Sequence, residues 1–303
     1  MKPILTTAPK AQGDSHLSPR NIQSFIMTVD VDGWASLLNF YKVKNNPDTA
    51  DSQVDVECGV SRLLDLFGNC EIFATFFVPG EIARRHPEML KAIQREGHEV
   101  ACHGLMHLKD ECLRERVEQE KTIEQATHII ERITGERPLG FRAPCLRANT
   151  NTFQILHNRG YLYDSSMIST FIPGYYGDFA ARSDLHWISL DTPAGKNEKA
   201  LLEIPVSVNP IFHIPLSAAW MRNFGTTWTK FGIRMSLYQH NVAVLYVHPR
   251  DVLPLPRIEK IPWHVYRNTG SSTLRALDAV IQQAKSLGAS FSRAVDVARG
   301  FCD

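Results

Sequence analysis

The chain has 303 residues, 44% hydrophobic and 21% charged, a balance that supports a packed globular core and excludes a disordered chain. Thirty-three Lys and Arg stand against 32 Asp and Glu, so the formal charge is +1 and the overall balance gives no reason to expect a nucleic-acid partner. The first twenty residues hold no apolar run long enough for a signal-peptide core, and no stretch reaches the roughly 18 apolar residues that span a bilayer. A cytoplasmic protein is therefore expected, with peripheral contact at the inner membrane face left open. Cys58, Cys70, Cys102, Cys112, Cys145 and Cys302 contain no C-x-x-C pair and are expected as buried thiols of a reducing compartment.

After a flexible tail expected over residues 1–20, the apolar, partly β-branched run at 25–29 predicts a buried strand that leads straight into Asp30, Asp32 and Gly33. Val56, Val60, Leu63, Leu64 and Phe67 recur at helical spacing and predict an amphipathic helix over 54–67. A second strand follows over 72–78, stopped by Pro79 and Gly80. Residues 87–96 read as a helix with Pro87 in its first turn, and 98–102 as a strand that delivers His103. Residues 111–133 predict one long charged helix closed by Gly135, with Leu113, Val117, Ile123, Ile130 and Ile133 as its buried stripe and Glu120 and Glu124 on its wet face.

A strand at 139–141, a helix at 151–159 and a strand at 161–163 continue the alternation. Residues 165–210 lose the helical rhythm and read as long rim loops with small strands. A helix within 216–239, a clear strand over 242–247 and a helix over 272–286 complete the chain. Alternating short apolar strands and amphipathic helices indicate parallel β/α construction, whose sites gather at the C-terminal ends of the strands. With no linker and no repeat, residues 21–303 read as one domain.

Four strand ends carry chemistry. Asp30 and Asp32 are two apart, so on a strand they face one side; they are either turn and cap residues or a repelling pair that calls for a cation or an arginine. His103 and His107 are four apart and, on a helical turn, come within reach of one ion. The pair lacks the intervening Glu of H-E-x-x-H, so a water-activating base has to come from elsewhere. His98, at the start of its strand, reads as structural or supporting. Arg142, in Phe141-Arg142-Ala143-Pro144-Cys145, is either an ordinary surface arginine or the partner that keeps a carboxylate ionised. His248 closes Leu245-Tyr246-Val247-His248-Pro249.

Taken in order, T-V-D-V-D-G, H-G-L-M-H, F-R-A-P and L-Y-V-H-P resemble the four elements of the polysaccharide deacetylase (NodB-homology, carbohydrate esterase family 4) superfamily, over roughly residues 22–300. The resemblance implies an α/β fold, a distorted (β/α)7-type barrel with a divalent metal at the strand C-termini. It implies Asp30 as catalytic base, Asp32, His103 and His107 as metal ligands, Arg142 as the residue orienting the base, and His248 as proton donor. The backbone N–H of Cys145 is the implied oxyanion donor. Zinc is the first choice of ion, ahead of cobalt, iron or manganese. Val31 between the aspartates resembles divergent D-x-D members; Gly104 stands where the family has Ser or Thr, and Cys145 where it has an aromatic.

The implied activity is metal-dependent removal of an N-acyl group, acetyl or formyl, from an aminosugar of a glycan or of a lipid-linked or nucleotide-linked intermediate. The substrate partner is thus an acylated aminosugar or glycolipid, with Trp34, Tyr175, Tyr176, Trp220 and Trp228 as stacking candidates and homo-oligomerisation left open. The alternatives are an allantoinase-like or cyclic-imide amidohydrolase and a non-catalytic metal-binding scaffold.

Overall fold

The computed structural model describes residues 23–43, 52–172, 176–178, 180–190, 198–255 and 257–302; the tail expected over 1–20 lies outside them. The centre of the molecule is β1 (Ser24–Asp30), whose last six residues are buried. It pairs in parallel with β2 (Ala74–Val78) on one side and with β12 (Val242–Val247) on the other. Beyond β2 the ladder continues through β3 (Glu99–Cys102), β4 (Gly140–Phe141), β5 (Tyr163–Asp164) and β9 (Glu198–Glu203), all parallel, to β8 (His186–Leu190), which runs antiparallel to β9. β13 (Ser290–Phe291) adds to the start of β1. Two short hairpins, β6 (Thr170–Ile172) with β7 (Tyr176–Asp178) and β10 (Val208–Asn209) with β11 (Ile214–Pro215), occupy the stretch read as rim loops and its continuation.

The α/β construction expected of a distorted (β/α)7-type barrel is present; among the described residues the ladder is a mixed sheet whose strand order runs from β12 to β8. The edge of β12 is met by irregular chain from the segment after β9. Ser207 N–H donates to Val244 O at 3.2 Å, the Ser207 hydroxyl accepts from Val244 N–H at 2.9 Å, and Ser217 bridges to Tyr246. One serine side chain and isolated backbone pairings thus satisfy part of the edge that a neighbouring strand would otherwise cover.

The helices α1 (Trp34–Phe40), α2 (Ser52–Asn69), α3 (Gly80–Arg85), α4 (Pro87–Arg95), α5 (Arg116–Thr134), α6 (Thr150–Asn158), α7 (Ala218–Phe224), α8 (Thr226–His240), α9 (Ser271–Ser286) and α10 (Ala294–Cys302) accompany the sheet. α1 and α10 were not anticipated from the sequence, and three further places differ from that reading. α3 was hidden because Pro79-Gly80 also reads as a stop; Gly80 N–H bonds Gly104 O and the helix starts at once. The helix expected over 111–133 begins as a separate 3-10 turn, Glu111–Leu113, and the kink rotates α5 so that Gln119, Ile123, Ala126, Thr127 and Ile130 are buried while Leu113 and Val117 are exposed. The helix expected within 216–239 is two, broken at Gly225, where φ is +93°. Cys70, Cys102 and Cys112 are buried as expected, but Cys58 and Cys302 are exposed.

One helix contact positions the site. An added Cβ at Gly59 of α2 would lie 2.4 Å from the carbonyl oxygen of Pro249, so the helix rests directly on the backbone of the turn Pro249–Val252 that follows β12. Gly59→Ala is expected to lower the unfolding free energy by about 1–3 kcal/mol through overpacking. Gly68→Ala, on the same helix with open space around it, is expected to be neutral or stabilising. Equal thermal midpoints for the two variants would refute this close approach.

Candidate active site

All the sequence-predicted site residues except Arg142 line one cavity of about 320 Å³ at the C-terminal mouth of the sheet, and Arg142 lies directly beneath it. β1 ends at Asp30; Val31 turns into the core, and Asp32 N–H bonds back to Asp30 O at 2.8 Å, so both carboxylates face the cavity. Arg142 is fully buried and every nitrogen of its guanidinium is used. Nη1 donates to Asp30 Oδ1 at 2.7 Å and to Thr28 Oγ1 at 2.9 Å, Nε to Ser165 O at 3.0 Å and Nη2 to Ser165 Oγ at 2.8 Å. The cation also lies 4.2 Å from the centre of the Phe77 ring. This resolves the open choice for Arg142: it is no surface residue.

The carbonyl of Arg142 accepts from His103 Nδ1 at 2.7 Å. That bond sets the tautomer, leaving Nε2 as a bare lone pair. The His103 and His107 ring centres are 4.9 Å apart, and His107 Nε2 is 3.6 Å from Asp32 Oδ2. The loop between the two histidines is held by a residue the sequence reading placed only in a helix, Glu111. Its buried carboxylate accepts the N–H groups of Leu105, Met106 and Leu108. A Cβ at Gly104 would meet Glu111 Oε1 at 2.7 Å, and φ there is +71°. Glycine at this position makes room for the carboxylate that ties down the loop.

His248 stands across the cavity. Asp251 Oδ2 accepts from its N–H at 2.9 Å and from its Nδ1 at 3.2 Å, while Asp251 Oδ1 is paired with Arg222 at 2.7 Å. Arg250 Nη1 donates to Asp32 Oδ1 at 2.5 Å, and His248 Nε2 is 3.6 Å from the same oxygen. Arg222, Arg250 and Asp251 were not singled out from sequence, although His-Pro-x-Asp carries a signal: Pro at the first position of a turn and Asp at its third, where the carboxylate caps the preceding N–H. Cys145 lines the cavity with φ +56°, and burial pushes its thiol up to about 11, so the side chain stays protonated. Trp220 lines the cavity, whereas Trp34 is buried against Leu38 and Ile261 and Trp228 packs on Phe212. Tyr175 and the side chain of Tyr176 lie outside the described residues. His98 is at the opposite end of β3, accepting from Ala74 N–H among three phenylalanines.

The charges are sorted by pairing. Burial alone would raise Asp32, but Arg250, with His248, His107 and His103, outweighs it and holds the carboxyl at about 2. Asp30 is likewise lowered against burial by Arg142, His103 and His248. Burial depresses His103 to about 4 and lowers His107, which keeps both imidazoles neutral and able to act as ligands at neutral pH. Two imidazoles and a carboxylate suit a divalent ion such as zinc. Among the described residues, however, no three His, Cys, Asp or Glu side chains are close enough to hold an ion as they stand, and the nearest partner of Asp32 is a cation, Arg250.

Beneath Arg142 lies a carboxyl pair. Asp164 accepts from Ser166 N–H and Oγ at 2.8 Å, and that hydroxyl accepts from Ala143 N–H, so Asp164 supports the turn that cradles Arg142. Glu203 is fully buried against it; burial and the Asp164 charge raise Glu203 well above the usual carboxylate range. The folded chain therefore binds a proton here that the unfolded chain releases near pH 4.5, and the stability this contributes is lost as pH rises toward the folded-state value. Glu203→Gln, which needs no proton, is expected to lose less stability than the parent between pH 5 and pH 9 in denaturant titrations. Superimposable pH profiles would show that the pair is not protonated.

Residues 48–163 match the polysaccharide deacetylase family, and residues 165–287 match a domain of unknown function (DUF3473). A peptidoglycan deacetylase of Helicobacter pylori is 28% identical over 264 residues, 80% of this chain and 89% of that protein. A peptidoglycan deacetylase-like protein of Gibberella zeae, FGM2, is 35% identical over 123 residues, 40% of this chain and 36% of that protein. Among solved structures, one from Mycobacterium smegmatis, provisionally described as a polysaccharide deacetylase, superposes with a TM-score of 0.68 at 22% identity, covering 96% of this chain and 94% of the other. Puue allantoinase gives 0.61 at 21% identity, covering 93% and 91%. A carbohydrate esterase family 4 pseudoenzyme from Bacillus anthracis gives 0.53 at 14%, covering 93% and 70%.

Fold and site define an α/β protein with paired carboxylates and imidazoles at the mouth of a mainly parallel sheet. Over residues 48–163 the chain is similar to the polysaccharide deacetylase family, and its fold is that of solved structures described as polysaccharide deacetylases.

Proposed function

We propose that this protein is a metal-dependent amide hydrolase that removes an N-acyl group, acetyl or formyl, from an aminosugar, and that it belongs with the D-x-D members of the polysaccharide deacetylase superfamily. The observation that carries this reading is the sharing of labour around Asp32. Its Oδ2 faces His107, beside His103 with its fixed tautomer, while Arg142–Asp30 and Asp251–His248 are held ready on either side.

Asp32, His103 and His107 would hold the ion, zinc by preference, and when bound it would acidify a water and polarise the acyl carbonyl. Asp30, kept ionised by Arg142, takes the proton of the attacking water. The N–H of Cys145 donates to the carbonyl oxygen as negative charge develops there, a role for which its side chain is immaterial. His248, in its doubly protonated form, gives the Nε2 proton to the departing amine; the Nδ1–H bond to Asp251 orients the ring and stabilises the cation. With Cys145 in place of an aromatic, the substrate wall falls to Leu37, Phe40, Tyr41, Leu146 and Trp220. These surfaces suit the face of a sugar ring or an apolar aglycone better than a small polar cyclic amide of the allantoin kind. The fold also carries a pseudoenzyme, so activity depends on the side chains at the mouth of the sheet.

Amine release from N-acetylated oligosaccharides and glycolipids, with allantoin in parallel, tests this reading. The zinc-supplemented protein is expected to deacylate an aminosugar and leave allantoin intact. His248→Ala is expected to lower turnover by about 10²-fold or more while metal content is unchanged. Turnover of allantoin alone, or undiminished turnover by the His248 variant, contradicts the assignment.

A further inference from the structure

The formal charge of +1 conceals an uneven distribution. Residues 211–270 contain seven Lys and Arg but only two Asp and Glu, together with three of the five tryptophans. Two of those cations, Arg222 and Arg250, are spent inside the site on Asp251 and Asp32. Lys230, Arg234, Arg257, Lys260 and Arg267 remain nearer the surface, with Glu259 as their one acidic counterpart in the segment.

The same segment carries a row of aromatic rings that starts at the cavity. Trp220 lines the cavity and stacks on Phe224 with centres 5.7 Å apart; Phe224 meets Trp228 at 6.1 Å, and Trp228 stacks on Phe212 at 5.7 Å. Phe224 is 53% exposed and Phe212 69%, with Ile211 beside it at 54%. On α8 the exposed residues Phe231, Arg234 and Tyr238 follow at helical spacing and share a face. The turn bearing Trp263, 70% exposed, is joined to α7 by an Asn223-to-His264 carbonyl bond of 3.2 Å, and Arg267 lies 5.9 Å from the Trp263 ring. His264 and Val265 of that turn line the cavity. Across the mouth, Lys109 sits 4.6 Å over the Phe40 ring. The opening is thus rimmed by aromatic rings with cations beside them.

We propose that this face, formed by α7, α8 and the turn Trp263–Val265, docks on a lipid bilayer bearing anionic headgroups, so that the cavity opens toward the membrane and takes an aminosugar carried on a lipid. Exposed Phe and Ile side chains have no polar handle for a glycan hydroxyl and gain most from hydrocarbon, while Trp, Tyr and the flanking Lys and Arg suit the headgroup level. The excess of cations complements an anionic leaflet. Among the described residues no helix is long and apolar enough to cross a membrane, so the contact is peripheral. The docking claim stands by itself; only the claim that the lipid carries the substrate rests on the proposed amide hydrolysis.

The test is co-sedimentation of the full chain with phosphatidylcholine vesicles with and without phosphatidylglycerol. Binding is expected only with the anionic lipid. It is expected to fall about tenfold or more in the combined variant Phe212→Ser, Phe224→Ser, Trp263→Ser, and by a similar factor in Lys230→Glu, Lys260→Glu, Arg267→Glu. Circular dichroism melts check that both variants are folded. Binding that ignores phosphatidylglycerol, or that survives both sets of substitutions, overturns the proposal, as does an aromatic variant whose sole change is loss of self-association in sedimentation velocity. In a second arm, the aromatic variant is expected to lose activity on a synthetic N-acetylglucosamine glycolipid in the same vesicles while keeping it on a soluble N-acetylated oligosaccharide. Inactivity on both by the parent chain, with vesicle binding intact, refutes the enzymatic reading but leaves the docking surface standing.

Discussion

A guanidinium with no exposed surface organises this molecule. A buried cation survives only if charge and hydrogen bonds surround it, because desolvation costs several kcal/mol per ion. Arg142 obtains that environment from distant parts of the chain: Thr28 and Asp30 at the end of β1, Ser165 after β5, and the ring of Phe77 on β2. Its own carbonyl sets the His103 ring. Ionisation of Asp30, orientation of His103 and the fit of the Ser165–Ser166 turn are therefore consequences of satisfying one buried side chain.

The mouth of the sheet repeats that logic. Three carboxylates face three guanidinium groups, Asp30 with Arg142, Asp251 with Arg222 and Asp32 with Arg250, and the imidazoles of His103 and His107 are kept neutral by burial. The pairings are not equivalent. Asp30 and Asp251 are tied to arginine side chains that are 0% and 4% exposed, whereas the Arg250 side chain is 12% exposed. Asp32 keeps its second oxygen turned toward His107, beside His103. An ion at that place would meet two neutral ligands and one anionic ligand already pulled away from solvent, with a neighbouring guanidinium that disfavours added positive charge.

Much of this was legible in the residues because strand ends are easy to find. The apolar runs ending at Asp30, His103, Arg142 and His248 are bounded by glycine, proline or charge, and parallel pairing brings such ends to one side. What escaped was whatever depends on packing across the chain. Glu111 reads as a helix residue, yet it caps the histidine loop because Gly104 leaves space for its carboxylate. The rotation of α5 that exposes Val117 follows from the kink at that same turn. Gly59 shows nothing in sequence beyond a helix glycine, but it lets α2 touch the Pro249 backbone. The edge of β12 is met by the irregular chain after β9 through the Ser207 side chain and an isolated bridge, with no periodic pattern to reveal them.

The account stands or falls on whether Asp32, His103 and His107 form one coordination sphere. Anomalous diffraction at the zinc edge, from crystals grown with the metal, measures this directly. The account predicts a single strong peak about 2.0–2.2 Å from Asp32 Oδ2 and from Nε2 of both histidines, with Asp30 still bound to Arg142. A fully loaded protein whose peak lies elsewhere, with Arg250 unmoved on Asp32, would contradict it.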